Sequence, residues 1–231
     1  MPADPAERAT ILGKVPLFAR LTPREATALA ARVNPRNYRP GEVIFHKDDP
    51  GLTFHIILNG LVKIFLTSDE GQEAVLIILK AGEFFGELSL FDGAPRSASA
   101  AALEPTETLV IHRDDFLDFL RQHPEASLNM FSVLSARLRR ADGVIADAAF
   151  LDLPSRIAKK LMELAESFGK PQGNYIEIDI RLRQQDVASM VSATRESVNR
   201  VLTNLDEQGI IHIDRQKITI LRPDLLQARI P

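Results

Sequence analysis

Between Tyr38 and His112 the apolar residues come in short runs, EVIF, FHIIL, LVKIFL and AVLIIL, separated by glycines. Gly41, Gly51, Gly60, Gly71, Gly82 and Gly93 recur about every ten residues, in RPGE, DPG, NG, DEGQ, KAGE and DG. Strands of this length joined by evenly spaced glycine turns predict an antiparallel sandwich or rolled barrel over residues 38 to 112. Ahead of it, Thr22 followed by Pro23 marks the start of a short helix running to about Val33.

From Pro124 the period changes. Phe131, Leu134, Leu138, Ala141, Ile145 and Ala148 repeat at alternating spacings of three and four, which is a narrow a/d seam. Arg137, Arg139, Arg140, Asp142 and Asp147 flank it, as expected of a helix that pairs with a copy of itself rather than with its own domain. AFLDLP, residues 149 to 154, ends that helix: Asp152 can cap a new one and Pro154 is tolerated only in its first turn, so Phe150 to Pro154 reads as a hinge. SRIAKKLMELAESFG then forms a helix closed by Gly169, and KPQGNYIEIDIRL a turn and a strand.

Gln184 to Val191 predicts a short helix, Ser192-Ala193-Thr194 a tight turn, and Arg195 to Gln208 a second helix ended by Gly209. Ala188 lets the two approach, and Val187, Val191, Val198, Val201, Leu202 and Leu205 supply an inner face, the pattern of a helix-turn-helix. IIHI and KITIL, turning through Asp214-Arg215-Gln216, form a wing. The fold class is α+β: an N-terminal antiparallel, jelly-roll-like β-roll in residues 1–123, a long dimerisation helix and hinge in 124–151, and a winged helix-turn-helix in 152–231.

Composition narrows the function. The 231 residues are 45% hydrophobic, ample for a packed core, and include no cysteine, which excludes disulfides and thiolate-held zinc or iron-sulfur clusters. No basic-then-apolar leader and no long apolar run is present, so a soluble cytoplasmic protein away from the membrane is expected. The net charge of −3 argues against indiscriminate coating of nucleic acid. It divides unevenly, 12 Lys+Arg against 11 Asp+Glu from Asp152 onward and 16 against 20 before it, which permits DNA binding by the C-terminal part. His46, His55, His112, His123 and His212 lack the spacing of a cupin-type metal site and read as surface or core residues, and no catalytic constellation is evident.

On the second helix of the pair, Arg195, Glu196, Asn199 and Arg200 lie at the N-terminal end and outward face. An arginine can bond guanine O6 and N7, and a glutamate can accept from cytosine N4, so these residues are suited to reading base edges. Thr194, Ser197, Arg183, Gln185 and Lys217 are candidates for phosphate contacts. Solvated surface charge, with Glu196 and Arg200 pairing along the helix, is the alternative. In the roll, GELSLFDGAPRSASA (residues 86 to 100) interrupts the strand pattern with a short helical SLFD and a proline before Arg96. Arg96 with neighbouring hydroxyl and backbone donors near Ser97 and Ala98 can cradle a phosphate, while Glu87, beside Gly86 and Leu88, can accept from a sugar hydroxyl. A structural Glu87–Arg96 salt bridge is the competing reading.

FGELSLFDGAPRSA, AFLDLPSRIA and SATRESVNRVL occur in one order and together resemble the cyclic AMP receptor protein (Crp/Fnr) family of bacterial transcription regulators, over roughly Val15 to Leu221. The resemblance implies a cyclic-nucleotide-binding β-roll in which Gly86 and Glu87 hold the ribose, Arg96 and Ser97 the cyclic phosphate, and Arg137 pairs with Glu87. It implies no enzyme activity, cAMP as effector, a homodimer formed through residues 128–148, double-stranded palindromic DNA with TGTGA-like half-sites read by Arg195, Glu196 and Arg200, and RNA polymerase as a partner. Ligand bound under the long helix would set the spacing of two recognition helices through the hinge. One departure is visible: where the cAMP-binding member has a threonine and a serine on the adenine, this chain has Ala141 and Asp142, and Asp142 suits guanine donors as well, so cGMP sensing or a ligand-independent regulator remain alternatives. Some haem-binding relatives use an N-terminal proline, and Pro2 follows the initiator here, but with no cysteine or evident second ligand neither haem nor metal is expected.

Overall fold

The computed structural model describes residues 5–13, 15–18 and 21–230; Pro2 lies outside them. The chain divides into two compact units, residues 1–66 with 76–138, and 67–75 with 139–231.

The expected antiparallel roll is present in the N-terminal part. Its strands are β1 (Asn34–Tyr38), β2 (Val43–Phe45), β3 (Thr53–Asn59), β4 (Leu61–Thr67), β5 (Glu73–Lys80), β6 (Phe84–Phe85), β7 (Ser99–Ala102) and β8 (Thr106–His112). They form two four-stranded sheets, ordered β1-β8-β3-β6 and β2-β7-β4-β5. β3 is apolar along nearly its whole length because both of its faces are covered. Phe54 and Ile56 point to one core with Leu109, Ile111 and Phe116, while Ile57 belongs to a second core with Val62, Leu79, Phe85 and Ala100. His55 shares the Ile57 face by strand alternation, is 5% exposed and stacks on Phe85 with 4.8 Å between ring centroids.

Helices seal the outer face. α1 (Pro5–Leu12) and α2 (Pro23–Ala30) supply Leu12, Leu29 and Ala30, and α4 (Arg113–Gln122) supplies Phe116, Phe119 and Leu120. α2 begins with a reciprocal cap: Thr22 N–H donates to Glu25 Oε2 (2.7 Å) and Glu25 N–H to Thr22 Oγ1 (3.4 Å). It ends at Ala30, short of the expected Val33, because Asn34 already pairs with Val110 in the sheet. α1 and α4 are additions to the elements legible in the sequence.

α5 (Pro124–Phe150) is the expected long helix. Ala126 and Met130 enter the first core, and Val133 and Leu134 pack against it, so Leu134 faces its own roll rather than lying free in the seam. The remaining large seam residues are bare, Phe131, Leu138 and Ile145 being 63% to 69% exposed, and Leu128, earlier on α5 and outside the seam, is equally bare at 66%.

In the second unit α5 stops at Phe150 and α6 (Leu153–Phe168) restarts under Asp152, whose Oδ1 accepts from Ser155 N–H at 2.9 Å, so the chain breaks where the hinge was expected. Lys159 Nζ spans the break to Asp147 Oδ1 at 2.6 Å. Gly169 follows α6 without a left-handed turn; a Cβ there would stand 2.1 Å from the Ala165 carbonyl oxygen, which explains the glycine by close approach. The segment expected as a turn and one strand is a hairpin, β9 (Gly169–Gln172) and β10 (Tyr175–Ile178). With β11 (Ile211–Asp214) and β12 (Lys217–Ile220) it makes a sheet ordered β11-β12-β10-β9, so the wing is anchored rather than isolated. α7 (Gln184–Met190) and α8 (Arg195–Glu207) precede β11, and a further helix, α9 (Pro223–Gln227), follows β12.

Two consequences are measurable. Gly60, in the β3–β4 turn, has φ +88° and a Cβ would lie 2.4 Å from Thr106 Oγ1 and 2.5 Å from Pro105 O, whereas Gly71, φ +79°, has nothing within 4 Å. Gly60→Ala is expected to cost about 2–4 kcal/mol of unfolding free energy and Gly71→Ala about 1 kcal/mol, by urea titration. Burial, reinforced by Arg96, lowers the His55 pKa to about 3. The unfolded chain therefore takes up a proton below pH ~6.5 that the folded chain refuses, and stability falls with decreasing pH by up to about 1.4 kcal/mol per unit between those values. His55→Phe should flatten that part of the pH–stability curve.

Candidate functional site

The 86–100 segment leaves β6 at Gly86, forms α3 (Leu88–Asp92), turns at Gly93 with φ +73°, and returns as β7. The expected SLFD helix is therefore present. Ala94 N–H donates to Asp92 Oδ1 at 2.9 Å, and Ser89 Oγ donates to the Pro95 carbonyl at 3.3 Å. Main-chain bonds clamp Arg96 on both sides: its N–H donates to Asp49 O and its carbonyl accepts from Asp48 N–H, each at 2.9 Å.

The Arg96 side chain is only 3% exposed. Nη1 donates to Gly86 O at 2.7 Å, and Nη2 to Thr53 O (2.7 Å) and Thr53 Oγ1 (2.9 Å). The guanidinium carbon lies 4.2 Å over the Phe45 ring. Gly86 is required here: its φ is +82°, and a Cβ would stand 2.7 Å from Arg96 Nη1. Burial lowers the Arg96 pKa, with Glu87 and Asp49 opposing, yet among the described residues no carboxylate bonds the guanidinium. Its Nε–H is buried and has no protein partner. A buried cation held by two carbonyls and a hydroxyl, with one of its three nitrogens wholly unpartnered, fits an anionic acceptor such as a phosphate diester.

Glu87, 4% exposed, does not bond Arg96. Its Oε1 accepts from Arg137 Nη1 on α5 at 2.9 Å, while Arg137 Nη2 donates to Phe84 O at 2.5 Å. Ala98 is buried; Ser97 is exposed, and so is Leu88 at the start of α3. Asp142 lies exposed on α5, in the second unit. The sequence reading missed Phe45, Thr53 and His55; the available signal was the alternation on β3, which puts Thr53, His55 and Ile57 on one face. Among the described residues no three His, Asp or Glu side chains converge as a metal site.

In the second unit, α7 and α8 meet through Val187, Ala188, Val198, Leu202 and Leu205, all buried, with Val201 half-buried. Thr194 caps α8, accepting from Ser197 N–H at 3.2 Å, and Ser192 takes φ +52° in the turn. Arg195, Glu196, Asn199 and Arg200 are exposed, with Arg200 Nη2 donating to Ser197 Oγ at 3.3 Å and Asn199 Oδ1 accepting from Gln184 Nε2 at 2.5 Å. Arg183 and Gln185 are exposed at the start of α7. Lys217 on the wing is engaged by Glu177 of β10 at 2.7 Å, which raises its pKa and keeps it charged.

The model of the cyclic nucleotide-binding domain matches residues 35–123, and that of the Crp-like helix-turn-helix domain matches residues 155–229. The CRP-like cAMP-activated global transcriptional regulator of Mycobacterium tuberculosis is 33% identical, covering 95% of this chain and 98% of that protein. The cyclic AMP receptor protein of Thermus thermophilus is 34% identical over 92% of this chain and 95% of its own length. Among solved structures, the c-di-GMP responsive global regulator CLP of Xanthomonas campestris superposes with a TM-score of 0.75 at 25% identity, covering 86% of this chain and 99% of that one. Among the described residues no helix is long and apolar enough to cross a membrane. A cyclic-nucleotide-type roll, a capped helix-turn-helix with a polar outer face, and relatives alike over nearly their whole length place this chain in the Crp/Fnr family of DNA-binding transcription regulators, which are not enzymes.

Proposed function

We propose that the chain is a homodimeric, sequence-specific regulator whose DNA affinity is set by a cyclic nucleotide, cAMP in the first instance, held in the 86–98 cassette. The observation that carries this reading is Arg96: a buried guanidinium with an unpaired Nε–H beside a glycine that leaves it room. The phosphate falls to Arg96 and Ser97, with the main chain of Ala98, and the ribose to Gly86, Glu87 and Leu88, Glu87 being oriented by Arg137. The cAMP-activated relatives support this nucleotide, and the Xanthomonas protein, named for its response to c-di-GMP, makes the base an open variable. Asp142 is the residue assigned to the base, reached from the partner's α5.

Dimerisation follows from Leu128, Phe131, Leu138 and Ile145, four large apolar side chains left bare along one helix. Two copies would present two α8 helices to successive major grooves, about 34 Å apart, of a TGTGA-like palindrome. Arg195, Glu196, Asn199 and Arg200 face base edges, and Arg183, Gln185, Thr194, Ser197 and Lys217 the phosphates. The ligand acts by shifting an existing equilibrium in how the α5 pair seats, passed on through the break at Leu151 and Asp152. RNA polymerase is the partner such a regulator addresses. A second reading, a ligand-independent regulator, is favoured by the same cassette, since Gly86 and Thr53 already give each terminal nitrogen of Arg96 a partner.

Anisotropy of a labelled TGTGA-N6-TCACA duplex separates the two. Added cAMP is expected to tighten binding at least about tenfold, within the usual range of allosteric coupling, and Arg96→Ala to abolish the response while retaining the ligand-free affinity. Unchanged affinity in the wild type would rule out cAMP and favour constitutive binding. Ile145→Glu, which puts a charge in the bare seam, is expected to shift the sedimentation profile from dimer toward monomer and weaken DNA binding by about 100-fold or more as the second half-site is lost.

A further inference from the structure

His55 is a buried titratable group that the proposed function does not use. Its Nε2 lies 3.0 Å from Thr53 Oγ1, and that same oxygen accepts from Arg96 Nη2 at 2.9 Å. A threonine hydroxyl carries one proton. With an acceptor site of Oγ1 taken by Arg96, directing that proton to His55 Nε2 leaves a single orphan, the Nδ1–H. The opposite tautomer leaves two, the threonine proton and a bare Nδ1. Nδ1 is indeed buried without a protein partner, and the ring is fixed by its stack on Phe85 and by Phe45, 5.8 Å away. Phe45 also carries the Arg96 guanidinium.

We propose that His55 is a positioning residue for the anion-binding arginine: its neutral ring holds the Thr53 hydroxyl as an acceptor for Arg96, so that the guanidinium is immobilised with its Nε–H edge unpaired and ready for a phosphate diester. This rests on the reading of the cassette as the effector site. It adds a part that lies outside the glycine-to-serine cassette, on β3. A ring that stays uncharged is essential, because a second cation against Arg96 would repel it; Glu87 and Asp49 are the acidic groups acting on that arginine, and neither bonds it.

The test uses the full chain, with cAMP as probe in calorimetric titration, and replacements that imitate one ring nitrogen at a time. His55→Gln places an amide where Nε2 stands, His55→Asn imitates Nδ1, and His55→Phe keeps only the stack. Gln should bind within about threefold of wild type, while Asn and Phe should bind about 3- to 10-fold more weakly, the loss expected for one neutral hydrogen bond. The double variant Thr53→Val/His55→Phe should bind no more weakly than Thr53→Val alone, because both changes remove one link. Solvent exchange of the Arg96 Nε–H, followed by NMR in the ligand-free chain, should be slow in wild type and Gln and faster in Phe. Phe binding as tightly as wild type, Asn matching Gln, or additive losses in the double variant would overturn the assignment. Should the wild type bind no cAMP, the effector reading fails by itself, and the exchange measurement still decides: equal Nε–H protection in wild type and Phe overturns the role of His55. If Phe does not fold, the Gln and Asn comparison carries the decision.

Discussion

A buried guanidinium must find acceptors in fixed places, and the N-terminal roll is arranged around that demand. Withdrawing Arg96 from water costs several kcal/mol unless its donors are met. Those on its terminal nitrogens are met in part by neutral groups, Gly86 O, Thr53 O and Thr53 Oγ1, instead of by a carboxylate, and the Nε–H is left over. A carboxylate bonded there would neutralise the site toward an anion; carbonyls stabilise the cation and leave its charge available. The loop shape follows. Gly86 must lack a Cβ, the return of the chain at Pro95 must bring Arg96 back across β3, and Gly51 must be bare because a Cβ would stand 2.0 Å from that of Ser89.

The glutamate of the same segment has the complementary problem, a carboxylate 4% exposed, and its solution comes from another element. Arg137 reaches it from α5, so the helix that carries the exposed seam also completes the cassette. α5 is held to the roll at its start by Ala126 and Met130, then by Leu134, and it turns Phe131, between them, and Leu138, beyond them, outward. Adjacent residues such as Met130 and Phe131 thus face two different surfaces of one helix.

Much of this was legible in the sequence, and the gaps have physical causes. Glycine spacing revealed the roll, because positive φ turns restrict residue choice strongly, and the a/d spacing with Asp152 and Pro154 revealed α5 and its break. α4 was missed although Phe116, Phe119 and Leu120 follow helical spacing, since the charged RDDFLDFLRQ is short and abuts a strand without a breaker. β9 was missed because Lys170, Pro171 and Gln172 carry no apolar alternation; only its pairing with β10 makes it a strand. In the site, Gly86, Glu87, Arg96 and Arg137 stood out as charges or glycines in an apolar setting. Thr53 and His55 did not, because β3 is covered on both faces and its i, i+2 alternation groups them without showing that their face meets Arg96; that, like the approach of Phe45 from β2, is a matter of tertiary pairing.

The same distinction between charge and availability bears on the second unit. Lys217 is charged but already engaged by Glu177, and Asn199 is occupied by Gln184, so on the proposed reading each must exchange an internal partner for DNA and the net gain from each is reduced. Arg200 has only a hydroxyl at 3.3 Å, and among the described residues the exposed side chains of Arg195 and Glu196 make no hydrogen bond or ion pair. On the proposed reading the N-terminal end of α8 would therefore give up least on meeting a base edge. On the same reading Arg195, Glu196 and Arg200 would differ in what they recognise, two donors and one acceptor, so specificity would concentrate at this end of α8 while the wing and the start of α7 would contribute mainly orientation.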